Sequence, residues 1–89
     1  MNISKEGIDI SNRFFQAIAI LKEQKKIRGL QTFTRRYNLN RWNVNQVKFH
    51  PDRSVLKPEW IVYLHNDYGI SVEWIILGTE PIFAPNRNE

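Results

Sequence analysis

The chain of 89 residues contains no cysteine, four glycines, four prolines and one methionine. The lack of cysteine removes a disulfide framework, a thiolate nucleophile and any cysteine-bearing zinc site. It also fits a reducing compartment, and a cytoplasmic protein is expected. No apolar run approaches the roughly 20 residues that a membrane-spanning helix needs. The first residues, Met1-Asn2-Ile3-Ser4-Lys5-Glu6-Gly7, have no apolar h-region, so neither membrane insertion nor secretion is expected. His50 and His65 are the only histidines, are far apart and have no ligand cluster nearby, which argues against a metal. Glu59 near Tyr63, and Asp67 near His65, come with no evident nucleophile or oxyanion site. We expect no catalysis, no cofactor and no small-molecule substrate. Repeats, low-complexity tracts and internal linkers are also missing.

What is present is ordinary for a globular protein: 42% hydrophobic and 25% charged residues. The length allows one small domain, which buries only roughly 60–65% of the surface of its unfolded chain. Acidic residues are scarce in one region. Residues 22–57 hold ten lysines and arginines against Glu23 and Asp52, a net charge of +8. Residues 1–21 sum to zero and residues 58–89 to −4, which together give the overall +4. Such a concentrated basic stretch is either an uneven solvated surface or the footprint of a polyanion.

Hydrophobic spacing predicts five short helices. Phe14, Ala17, Ile18 and Leu21 form an apolar stripe, so a first helix is expected over 11–26 with Ser11 as its N-cap. Gly29 ends that pattern. Leu30, Phe33 and Tyr37 share a face of a second helix over 30–37. Asn38 follows, a residue type that tolerates the left-handed backbone. A third helix over 40–49 begins at Asn40, a suitable cap, and turns Val44 and Val47 inward. His50 to Ser54 form a polar loop. Pro58 opens a fourth helix over 58–68, which Gly69 closes. Ser71 and Gly78 bracket a fifth over 71–77, after which Pro81-Ile82-Phe83 folds back onto the core. Trp60 and Trp74 fall on apolar stripes and belong to the core. The domain is expected over 11–83, with an N-terminal arm at 1–10 and a flexible tail at 84–89.

The second and third helices are separated by about three residues, a helix-turn-helix pattern. Phe33, Leu39, Val44 and Val47 would fix the angle between them and leave the third helix protruding. Its outward residues are Arg41, Trp42, Asn45, Gln46 and Lys48. Arg pairs bidentately with guanine, and Asn or Gln with adenine, so Arg41, Asn45 and Gln46 suit base reading in a major groove. Trp42 suits a sugar or a thymine methyl, or else packs on the loop at Pro51. Gln31, Arg35, Arg36, Asn40, Lys48, Arg53 and Lys57 are candidates for phosphate contacts.

Residues 30–48 resemble the helix-turn-helix of phage-repressor-type regulators, the Cro/lambda-repressor-like (XRE) family. The segment Asp67-Tyr68-Gly69-Ile70-Ser71-Val72-Glu73-Trp74-Ile75-Ile76-Leu77-Gly78-Thr79-Glu80-Pro81-Ile82-Phe83 is similar to the closing segment of that family. The likeness covers about residues 14–83. It implies an all-α, lambda-repressor-like bundle of five short helices that binds double-stranded operator DNA as a transcriptional regulator, often a homodimer. It places Leu39 at the buried turn position, Val44 and Val47 inward, and Arg41, Trp42, Asn45 and Gln46 toward the groove. Gln31 then matches the residue that clamps a phosphate at the start of the second helix. The chain departs from the family at Asn38, where glycine is usual, at Thr34, at Lys48, at the large Trp42 and in the long 50–57 loop. Phe15, Ile20 and Ile82 are the apolar residues expected at a dimer interface. A second functional class is the same scaffold used as a protein–protein interaction module for an acidic partner.

Overall fold

Helix boundaries in the computed structural model follow from capping chemistry more than from apolar periodicity. The structure describes residues 2–85. Five helices lie within it: α1 (Lys5–Glu23), α2 (Leu30–Arg36), α3 (Arg41–Phe49), α4 (Pro58–Tyr68) and α5 (Val72–Leu77). No strand is found among the described residues. An isolated antiparallel bridge joins Ile70 to Phe83.

The expected arm is corrected. α1 begins at Lys5, capped by Ser4, whose hydroxyl accepts from the Gly7 amide at 3.1 Å. Ser11, expected as the cap, lies inside the helix and is buried. The apolar stripe simply continues one turn further back, through Ile10, which packs on the core. Before the helix, the Ile3 amide donates to the Asp52 carbonyl at 2.8 Å, which ties the N-terminal segment to the 50–54 loop.

α1 also stops earlier than the spacing suggests. Lys25 adopts a left-handed backbone (φ 63°), and the Lys25 and Lys26 amides return to the Lys22 and Leu21 carbonyls. That is the Schellman arrangement, built here on a lysine instead of the usual glycine. α2 ends in the same way on Asn38 (φ 54°), with the Leu39 amide reaching the Thr34 carbonyl at 2.8 Å. Asn40 then caps α3 by accepting from the Asn43 amide at 3.1 Å. The chain therefore passes from α2 to α3 in four residues.

The Ser71 and Gly78 caps of α5 fall where expected, and Gly69 closes α4. Arg13 adds a tie that crosses the fold. Its guanidinium donates to the Ile75 and Ile76 carbonyls at 2.7 and 3.0 Å, two acceptors that the end of a short helix would otherwise leave open. Beyond α5 the chain returns across the core: Ser71 donates to Ile82 and Ala84 to Gly69, each at 2.7 Å. Ala84 is thus held by a backbone bond, and the expected tail begins later. Residues 86–89 of that tail lie outside the described residues.

α1 packs against α3 and α5, α4 against α5, and α2 against α3. Phe14, Phe33, Leu21, Val44, Leu64 and Ile75 are fully buried between them, with Trp60 and Trp74 alongside. The Phe14 and Phe33 rings meet edge to face at 5.7 Å. This pairing, with Val44 and Val47 beneath α3, fixes the α2–α3 pair on α1 and leaves the opposite side of α3 in solvent.

Candidate nucleic-acid interface

α3 is short, and its inward line is only Val44 and Val47. At 3.6 residues per turn, Trp42 and Phe49 lie about 140–160° round the helix from both valines and within about 20° of each other. They form the outermost line of α3, and both rings are largely exposed, 68% and 66%. The two flanks differ. Arg41, Asn45 and Lys48 turn to one side, Asn43 and Gln46 to the other.

Each flank borders a groove. The first, of about 420 Å³, lies between α3, the end of α1 and the start of α2. Lys22, Arg28, Gln31, Arg41, Asn45 and Lys48 supply its polar groups, and Phe15, Ile18 and Leu30 its apolar wall. The second, of about 370 Å³, lies between α3 and the 53–57 loop, with Trp42, Gln46, Arg53 and Lys57 along it. Among the described residues, no Asp or Glu lines either groove. The ion pairs among the described residues are Lys5–Asp9, Arg36–Asp67 and the long contact of Arg53 with Asp52 at 4.0 Å. None of them involves a cation of the first groove.

Most of the residues singled out in the sequence are brought together by this arrangement. Arg41, Asn45, Gln31 and Lys48 meet in the first groove, and Trp42, Gln46, Arg53 and Lys57 meet in the second. Arg53 is further oriented by His50, whose Nδ1 lies 2.8 Å from the guanidinium. Trp42 is largely exposed and lines the second groove with Arg53 and Lys57. Asn40 spends its side-chain oxygen on the α3 cap. Arg35 is exposed but lines neither groove.

Arg36 stands apart. Its Nε lies 3.8 Å from Asp67, and its guanidinium sits over the Tyr37 and Tyr68 rings at 5.6 and 5.5 Å. Tyr37 in turn donates a short hydrogen bond to Asp67 and stacks on Tyr63 at 4.3 Å. Burial, and then the bond to Asp67, push the Tyr37 hydroxyl well above its usual range. Arg36 is thus a half-exposed contact between α2 and α4 that lines neither groove.

Three residues escaped the sequence reading. Lys22 looked like a dipole partner at the end of α1, and Arg28 falls in a stretch with no periodicity. Both line the first groove. Phe49 was legible in principle, because it lies two helical turns beyond Trp42.

Among the described residues, no group of three or more His, Asp or Glu could hold a metal ion, and no helix is long and apolar enough to cross a membrane. Compared with known proteins, the chain matches no family model, no curated protein and no solved structure.

Proposed function

We propose that the protein is a sequence-specific DNA-binding regulator, repressor-like and cytoplasmic, in which α2 and α3 act as a helix-turn-helix. The observation that carries this reading is the solvent side of α3: amides and a guanidinium on the helix itself, between two grooves that contain cations and no carboxylate. α3 enters the major groove. Arg41, Asn45 and Gln46 meet base edges, and Lys22, Arg28, Gln31 and Lys48 on one side, with Arg53 and Lys57 on the other, meet the two phosphate walls. No catalytic step belongs to this reading.

One domain of this size covers only a half-site, so a homodimer on a two-fold operator is part of the proposal. Phe15, Ile20 and Ile82 are half-buried, and Phe15 and Ile82 pack on the core. Away from α3, the large exposed apolar residues on helices are Val62, Val72, Ile76 and Leu77, on α4 and α5.

Selection of sites from a random duplex library, followed by binding at two salt concentrations, tests the reading. An enriched sequence is expected, with log K falling by about 0.9 per phosphate contact for each log unit of salt. No binding to any duplex at low salt would falsify it. The exposure of Trp42 and Phe49 favours one second reading, a protein-binding module, because tryptophan beside arginine is typical of interaction hot spots. Stable association with a partner protein and none with DNA would support that reading.

A further inference from the structure

We propose that Trp42 and Phe49 make recognition depend on pyrimidine C5-methyl groups, so that the preferred site carries thymine or 5-methylcytosine beneath these two rings. The inference rests on the DNA-binding reading and specifies what that surface selects.

The geometry of α3 carries it. Trp42 and Phe49 occupy the line farthest from Val44 and Val47, and both rings are largely exposed. When the valines face the core, whatever α3 enters meets these two rings first. The sugar–phosphate walls of a groove are met by the flanks, where Lys48 stands on one side and Arg53 and Lys57 on the other. The rings face the floor. The floor of the major groove offers hydrogen-bonding groups at nearly every position, which an apolar ring would leave unpaired. Its one apolar feature is the C5-methyl of thymine. Burial of ring surface against that methyl is favourable, and burial against the amino and carbonyl groups of a G·C pair costs their hydration.

Spacing adds a second constraint. Seven residues of helix span about 10 Å. At about 3.4 Å per base step, the two rings lie about three base pairs apart when α3 follows the groove. Trp42, in the first turn, makes the closer approach, because the N-terminal end of such a helix sits deepest. Lys48, with its ammonium 5.5 Å from the Phe49 ring, sets a cation beside the second ring.

A protein partner would also accept exposed aromatic rings. The cations and amides around them, with no carboxylate lining either groove among the described residues, favour the polyanion.

The test uses the full chain and the duplex recovered by selection, measured by fluorescence anisotropy. Deoxyuridine replaces thymidine one position at a time, which removes a methyl and leaves every hydrogen-bonding group in place. Loss of one buried methyl should weaken binding about fourfold. Two such positions are expected, about three base pairs apart. W42A should bind thymine and uracil equally at one of them, and F49A at the other. Circular dichroism checks that both variants fold, and their exposure predicts that they do. 5-Methylcytosine should restore binding at a cytosine placed in either position.

Three outcomes would overturn the inference while leaving DNA binding in place: a selected site without thymine, uracil substitution without effect, or thymine preference that survives in W42A. Failure to bind any duplex at low salt would remove the underlying reading as well.

Discussion

Arg36 and Arg41 lie five residues apart and meet opposite surroundings. Arg36 ends α2 beside Asp67, with Tyr37 and Tyr68 under its guanidinium. Arg41 begins α3 in a groove shared with Lys22, Arg28 and Lys48. Both contribute to the +8 of residues 22–57, yet of the two only Arg36 has a carboxylate partner among the ion pairs of the described residues. A segment total counts charges without their partners. The acidic C-terminal third reaches back through α4 and pairs Asp67 with one cation of the basic middle, and the fold decides which one.

The largest expected effect tests that contrast directly. Arg41→Ala should weaken binding to the selected duplex by about 1–3 kcal/mol and relax preference at a particular base pair. Arg36→Ala should leave affinity and salt dependence unchanged while lowering thermal stability. Anisotropy titrations of both variants check this. Equal losses of affinity would mean that Arg36 leaves Asp67 to bind phosphate, and the contrast would fail.

Lys48→Ala follows. It should weaken binding to all sequences alike and lower the salt slope by about 0.9, because one phosphate contact is lost. Lys22→Ala and Arg28→Ala should behave in the same way if the first groove seats a phosphate wall. A variant that changed base preference with an unchanged slope would place that cation at the groove floor instead.

Much of the fold was legible because short-range chemistry set it. Asn40, Ser71, Gly69, Gly78 and Pro58 each carry their position in their residue type, and the structure keeps all five at helix ends. Where two signals competed, the sequence misled. Ser11 is a good cap by type, but Ser4 lies ahead of it and the apolar stripe runs back to Ile10, so the longer helix wins. Lys25 gave no sign of a left-handed turn, because the end of α1 is set by bonds to the Leu21 and Lys22 carbonyls and not by preference of the lysine. The site was legible on α3 itself, where residues three, four and seven apart share a face. Its other contributions come from α1 and the 26–29 turn, which only tertiary packing brings beside α3.

The Arg36 side of the contrast makes its own prediction about stability. Tyr37→Phe keeps the stacking on Tyr63 and removes the bond to Asp67, at a cost of about 1 kcal/mol. The pH dependence has a definite sign. The folded state raises the Tyr37 value above the usual 10, so it favours the neutral phenol. That contribution is present in full below pH of about 10 and is lost as pH rises through the higher folded value. Wild type should therefore lose stability on the alkaline side, and Tyr37→Phe should lose less over the same range. Denaturant unfolding at pH 8 and above pH 10 measures both limbs. Since Tyr37 lines neither groove, DNA affinity at neutral pH should not change.

The smallest effect compares the two turns that bring the first groove together. Lys25 and Asn38 hold equivalent positions, each just past a helix end with a positive φ. Asn tolerates this conformation and Lys does not, because only the short polar side chain can bond locally to the backbone. Glycine carries no such strain in either place, though it adds entropy to the unfolded chain. Lys25→Gly should therefore gain about 0.5–1 kcal/mol, a rise of several degrees in Tm for a domain of this size. Asn38→Gly should gain less. Neither residue lines a groove, so binding should follow wild type in both. A loss of stability in Lys25→Gly would mean that the lysine side chain holds the turn through contacts worth more than the strain, and that α1 ends where it does for a reason other than its carbonyl bonds.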